Sequence, residues 1–580
     1  MKQVAAVLTL ALVTSAPIGA SPAKQDANAA PHSMHDSGFH RGHDMRAMLM
    51  MSASVVKPAA VPRVPLYDGL GAVNFSVTTT SPEAQQFFRQ GLAFAYGFNH
   101  AGAIASFREA QRLDPKCAMC WWGEAFARGP NINAPMDAAA NARAFGVAAY
   151  AQWLARKATP AERALTAALV KRYSPDPQAA RASLDAAFAD AMLAAAAAHG
   201  AHDDLALLAA DAAMNTRPWD YWSADKKPYQ RIGEAVRLVE TVLARSPAHP
   251  QAAHLYIHLM ENGPDPRVAE AAADRLNAPL APTLGHLVHM PAHIYYRLGR
   301  WQDSIRANVA AARADEAWIR DSGDTGLVRY GYYPHNIHFI VTSAQMAGEM
   351  PTAIREARKL ETLLDPGISA QIAWIQALAA APYLAAAQFA PPAEILAMRA
   401  PDARLPYPTA MRFYARAMAR AQQRNGPGFE QELAKLRAVR NSDALKPMID
   451  QGAPAADLLH IAEIVARARW ASANARLGEA VKLYCEAIAI EQKIPYSEPP
   501  YWYYPVHQSL GATLYRARRY REASLAFQTA LSQSPNNGWV LYGLAASEAA
   551  LGRKSEAAAA GLALKKAWSG NRAWLRMDRL

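Results

Sequence analysis

A small residue recurs at a near-constant interval through most of this chain, each time inside an amphipathic stretch that closes on a turn. In GLAFAYGFNHAGAIASFREAQRLDP the frame consists of Gly91, Ala103, Ile104, Phe107, Ala110 and the closing Asp114-Pro115. It returns as EAVRLVETVLARSP, as HIYYRLGRWQDSIRANVAAA, as AGEMPTAIREARKL, and twice near the end. Superposing the small residue gives Ala235, Ala269, Ser304 and Ala353 at separations of 34, 35 and 49, then Ala523 and Ala557 at 34. Pro115, Pro247 and Pro535 keep the same phase. Units this short cannot bury an apolar face alone, so they must stack, with the small residues letting neighbouring helices approach. The spacing of 49 predicts a longer connection around DSGDTGLVRYGYY.

Composition agrees with stacked helices. Alanine-rich runs such as MLAAAAAHG dominate, 52% of residues are hydrophobic, and no alternating apolar and polar segment long enough for a sheet stands out. The chain reads as almost all-α. Its 61 Lys plus Arg against 49 Asp plus Glu are scattered, without a basic stripe interleaved with aromatics, so no nucleic-acid partner is expected. Three cysteines cannot form a disulfide framework for 580 residues. Cys117 and Cys120, in CAMC, could form a disulfide, pack as small residues or act as soft metal ligands; Cys485 fits an apolar helix pattern and is expected in the core.

The chain divides into three parts. Residues 1–20 read as an export signal: Lys2 precedes the apolar run VAAVLTLALV, which is too short for a stable membrane span, and a cut falls after Ala20 or near Ala30. Export implies the periplasm of a Gram-negative cell as the matching compartment, with no stable membrane insertion. Residues 21–66 form a His/Met-rich tail, expected to be disordered, and a proline-rich linker. His32, His35, His40 and His43 interleave there with Met34, Met45, Met48, Met50 and Met51, a donor set that suits copper, although composition alone also explains it. Residues 67–580 hold the repeat array.

Within the array one stretch stands out. AHLYIHLME, GHLVHMPAHIYY and YYPHNIHF place His254, His258, His286, His289, His293, His335 and His338 at spacings of three, four and seven, which share one helix face. Thirteen histidines lie beyond residue 51, and seven of them fall within these 85 positions. Glu261 follows His258 by one turn, as a carboxylate ligand or as an acceptor behind the rings. Pro291 removes a backbone hydrogen bond inside the second phrase and is expected to bend that helix.

The repeat frame resembles the tetratricopeptide repeat, over about residues 81–570, and the histidine phrases look like those of exported bacterial repeat-containing proteins. The resemblance implies an all-α, tetratricopeptide-type helical-hairpin solenoid, a right-handed superhelix with a concave groove. In that family the second, fifth and ninth positions of each first helix face the groove. His286, His289 and His293 take these three positions, His335 and His338 the second and fifth, and His254 and His258 the fifth and ninth. The resemblance names no activity.

Seven imidazoles on neighbouring inner faces can meet at one ion or at two adjacent ions. The expected protein is therefore metal-binding, with copper the best match to compartment and tail and zinc or iron as alternatives, acting on a small molecule or oxygen as an oxidoreductase. A hydrolytic zinc site would need Glu261 as a base. The alternative is a metal-free adaptor whose groove binds an exported protein or peptide. No phosphate loop, nucleophile motif or HExxH signature is present. The aromatic runs RPWDYW (217–222) and EPPYWYYP (498–505) fill gaps between hairpins or wall a pocket.

Overall fold

The computed structural model describes residues 65–580 apart from 137, 177 and 279, and these lie in one compact unit. The export signal and the His/Met-rich tail fall outside the described residues. Among the described residues every regular element is helical, apart from an isolated bridge between Trp222 and Pro228. No helix there is long and apolar enough to cross a membrane.

Consecutive helices pack against each other as helical hairpins. The frame residues explain the pairing. Phe107, fully buried on the His100–Leu113 helix, lies between two glycines: a Cβ at Gly91 would come within 2.8 Å of its ring, and one at Gly123 within 2.3 Å. Phe527, on the Tyr520–Gln533 helix, repeats the arrangement between Gly511 and Gly543, at 2.9 and 2.2 Å. Such distances leave no room for a methyl group, so the small residue sets how closely consecutive hairpins stack. The superposed residues Ala103, Ala235, Ala269, Ser304, Ala353 and Ala523 are all fully buried, whereas Ala557, in the last hairpin, is half-buried.

Two irregularities position the histidines. After the Pro250–Met260 helix, the expected second helix at Ala269 is only a 3₁₀ turn, Pro266–Ala269, followed by Glu270–Asn277. Its start is fixed by Asp265, whose side chain accepts from Arg267 N–H. The spacing of 49 is taken up by a 22-residue helix, Trp301–Ser322, ending at the left-handed Gly323, and by a π turn, Val328–Tyr332, that runs into Tyr333–Ala347. Cys485 departs from expectation: it is exposed, because Leu477–Glu491 buries Ala480, Leu483, Tyr484, Ala487 and Ile488 on another face. Cys117 and Cys120 are joined in a disulfide and buried.

Distant segments pack onto the histidine-bearing helices. The extended segment near residue 69 meets Thr283, whose N–H donates to Gly69 O at 3.3 Å. From the other end, Trp539 Nε1–H donates to Gln345 O at 2.9 Å, and the Trp568 ring closes on Gly348.

Candidate metal centre

Three first helices carry the histidines: Pro250–Met260, the interrupted pair Gly285–His289 and Pro291–Leu298, and Tyr333–Ala347. The interruption is the effect of Pro291. With no N–H at 291, His293 N–H bonds back only to Met290 O, at 3.2 Å, and a new helical segment begins.

Six of the seven histidines converge as two triads. His254, His258 and His286 form one; His289, His293 and His335 form the other, and in each the candidate ligand nitrogens lie within 4.8 Å of one another. In the first, His254 Nε2 and His286 Nε2 are 3.2 Å apart; in the second, His289 Nε2 and His293 Nε2 are 2.8 Å apart. Two nitrogens bound to a single tetrahedral ion at about 2.0–2.1 Å would be about 3.3–3.4 Å apart. The first pair therefore already has a ligand separation, and the second needs to open by about half an ångström. The triads adjoin, with ring centroids of His258 and His293 5.9 Å apart and those of His286 and His289 6.1 Å apart.

The far nitrogen of four rings is held by an oxygen. His254 Nδ1 meets Gln251 Oε1 at 2.9 Å, and His289 Nδ1 meets Asn308 Oδ1 at 2.6 Å. Asn308 is itself oriented, because its amide N–H donates to Ser304 O. Glu261 serves both triads: Oε1 meets His258 Nδ1 at 2.9 Å and Oε2 meets His293 Nδ1 at 2.7 Å. Since these oxygens accept, the ring Nδ1 carries the proton and Nε2 presents its lone pair. Glu261 thus stands behind the rings, with Tyr496 also donating to it at 3.0 Å. His338 belongs to neither triad. Three residues beyond His335, it is rotated around the helix toward the 498–505 run, where Nε2 meets the Tyr503 hydroxyl at 2.5 Å.

The centre is mostly enclosed rather than spread along an open groove, with His335 alone of the six partly exposed. His254, His258, His286, His289 and His293 are at most 5% exposed, and Glu261 is fully buried. Phe98 covers the first triad, with ring centroids 4.7 Å from His254 and 5.1 Å from His286. It does so from a hairpin turn in which its own φ is +53°, a left-handed conformation uncommon for a residue with a Cβ. Trp219 packs on His258, Tyr332 on His286, and Phe339 on His289, His293 and His335. The remaining cavity is about 20 Å³, room for about one water-sized occupant.

Burial governs the charges. It pushes His254, His286, His289 and His335 well below the ordinary imidazole value, reinforced by neighbouring imidazoles, and lowers His258. Burial works in the same direction on His293, but Glu261 outweighs it and leaves that ring raised. Burial would raise Glu261; His293 and His258 overcome it and hold the carboxyl down at about 2. Most of the cluster is thus neutral imidazole, the form that ligates metal, beside one buried carboxylate.

Phe98, Gln251, Asn308, Tyr332 and Tyr496 were not singled out by the sequence. Only Gln251 carried a readable signal, three residues before His254 on the same helix face. The aromatic runs contribute Trp219 to the cavity and Tyr503 to His338.

No protein-family model matches the chain, and no curated protein matches it. Among solved structures it is similar to the human IFIT1 dimer with m7Gppp-AAAA, at 11% identity over 85% of this chain and 91% of that one, TM-score 0.28. It is also similar to yeast Tom70, at 12% identity over 85% and 94%, TM-score 0.26, and to the APC/C hetero-tetramer Cut9-Hcn1, at 13% identity over 83% and 90%, TM-score 0.24.

Proposed function

We propose that this is an exported metalloprotein whose two histidine triads hold two transition-metal ions, copper in the first instance, and that the pair of ions acts on a small molecule as an oxidoreductase. The observation that carries the reading is the orientation of the rings. Four imidazoles have their Nδ1–H groups committed to Glu261, Gln251 and Asn308, and within each triad two Nε2 atoms converge to 2.8–3.2 Å. Three imidazoles per ion leave open positions, as catalytic sites require and closed structural sites do not. Two adjacent ions can bind a substrate atom from both sides. The buried Cys117–Cys120 disulfide supports an oxidising compartment.

A peptide bound through these histidines is not favoured, because a cavity of about 20 Å³ cannot admit one. A hydrolytic role for Glu261 as base is not favoured either, since both of its oxygens already accept from imidazole. Elemental analysis of the mature chain purified with Cu, Zn or Fe supplied tests the proposal. Two ions per chain are expected, falling to about one in His289→Ala. Metal well below one ion per chain, unchanged by that substitution, would overturn it.

A further inference from the structure

The cavity beside the triads is lined by more than imidazole. Asn133, from the loop after the Ala118–Ala127 helix, Tyr332, at the end of the π turn, and Trp374 all reach it from segments far apart in sequence. Asn133 Oδ1, the Tyr332 hydroxyl, Trp374 Nε1, His258 Nε2 and His286 Nδ1 are all buried without a hydrogen bond of ordinary geometry, although Tyr332 lies beside the Asn133 amide. Buried polar groups are rarely left unpaired, and five on the lining of one small cavity is a concentration that calls for a missing partner. An ion in the first triad supplies one for His258 Nε2. It offers nothing to Trp374, whose indole N–H only donates, and it leaves beside it the Tyr332 hydroxyl and the Asn133 amide, each able to donate or accept.

We infer that Tyr332, Trp374 and Asn133 form the receiving site for a small exogenous ligand, an oxygen-donor or anionic molecule whose water-sized end enters the cavity and binds at the ions. The inference rests on the two-ion reading and adds its ligand class. The indole demands an acceptor, so the ligand presents an oxygen or an anionic nitrogen. The cavity, about 20 Å³, admits a water-sized end and excludes an aromatic ring. Trp219 and Leu327 on the same lining keep the site dry, which strengthens hydrogen bonds to a bound anion. Tyr332 also stacks on His286, with centroids 4.6 Å apart, so its hydroxyl is fixed relative to the first triad. These three are positioning groups; they hold the ligand rather than the ions.

The test uses the full mature chain loaded with Cu(II) and azide as the probe, titrated by its ligand-to-metal absorption band. Tyr332→Phe preserves the ring on His286, and Trp374→Phe keeps an aromatic ring while removing the indole N–H. Both are expected to keep wild-type metal content, Tyr332→Phe with a wild-type thermal midpoint and Trp374→Phe with a lowered one, while each weakens azide by about tenfold, the effect of one lost hydrogen bond to a charged group. Azide affinity within twofold of wild type in both variants, with two ions bound, would overturn the inference and leave the two-ion reading standing. Loss of metal in Tyr332→Phe would also overturn it, by placing the hydroxyl in the ion cradle. A wild-type chain that takes up no metal would overturn both.

Discussion

Glu261 shows what a single residue does here. A carboxylate at the C-terminal end of the Pro250–Met260 helix faces the negative end of the helix dipole and is fully buried. Both effects oppose its charge, yet it is held ionised because each oxygen accepts from a different imidazole, one in each triad. It therefore fixes the proton on Nδ1 of His258 and His293 together. Glu261→Gln replaces one accepting oxygen with an N–H₂ that repels an Nδ1–H, so one ring must surrender its orientation or change tautomer. The expected result is a loss of about 10–100-fold in affinity for one ion, read by competition with a chelator, while the other ion is retained; equal weakening of both ions, or of neither, would contradict the coupling. The histidines themselves were legible, since spacings of three and four announce a shared face. His338 fits that spacing too but is rotated toward Tyr503, and spacing alone does not distinguish the two outcomes on a helix packed on several sides.

Helices and turns were legible where they repeat and obscure where they do not. The small-residue frame is visible because hairpins far apart in the array meet the same requirement, a glycine against a large side chain of its neighbour. Phe107 between Gly91 and Gly123, and Phe527 between Gly511 and Gly543, are the same contact at two places in the array. Gly543→Ala would put a methyl within 2.2 Å of the Phe527 ring, and overpacking of this kind costs about 1–3 kcal/mol. Because hairpins couple mainly to their neighbours, the loss is expected as early unfolding of the last two hairpins, seen by limited proteolysis near residues 518–538, with the histidine helices retained. Uniform destabilisation of the whole chain would count against that picture. By contrast, the π turn at Val328–Tyr332 has no periodic signature, although it delivers Tyr332 and Gly331 to the cavity. Pro291 announced an interruption, but its direction is set by how Pro291–Leu298 packs on the helices around it.

At the scale of the molecule, the centre is closed by residues that no local pattern connects: Phe98, Asn133, Trp219, Trp374 and Tyr496 come from five separate places along the chain. A repeat period describes contacts between successive hairpins and is silent about such long-range closure, which is why the face expected to line an open groove is instead buried. Closure also links the ions to stability. Without metal, imidazoles are packed with Nε2 atoms facing each other at 2.8 and 3.2 Å, where one proton held between each pair is the only attraction available. An ion in each triad replaces that with two or three bonds, and each site bound at a hundredfold excess over its Kd adds about 2.7 kcal/mol to the native state. The gain belongs to the elements that close the centre. Hydrogen exchange compared before and after chelation is expected to show lost protection in residues 250–347, in the turn at Phe98 and around Tyr496–Tyr503, with the final hairpin, Gly538–Ala567, changing least. Loss spread evenly over the chain would show that the triads do not hold these segments together; no loss anywhere would show that the ions contribute nothing to the fold.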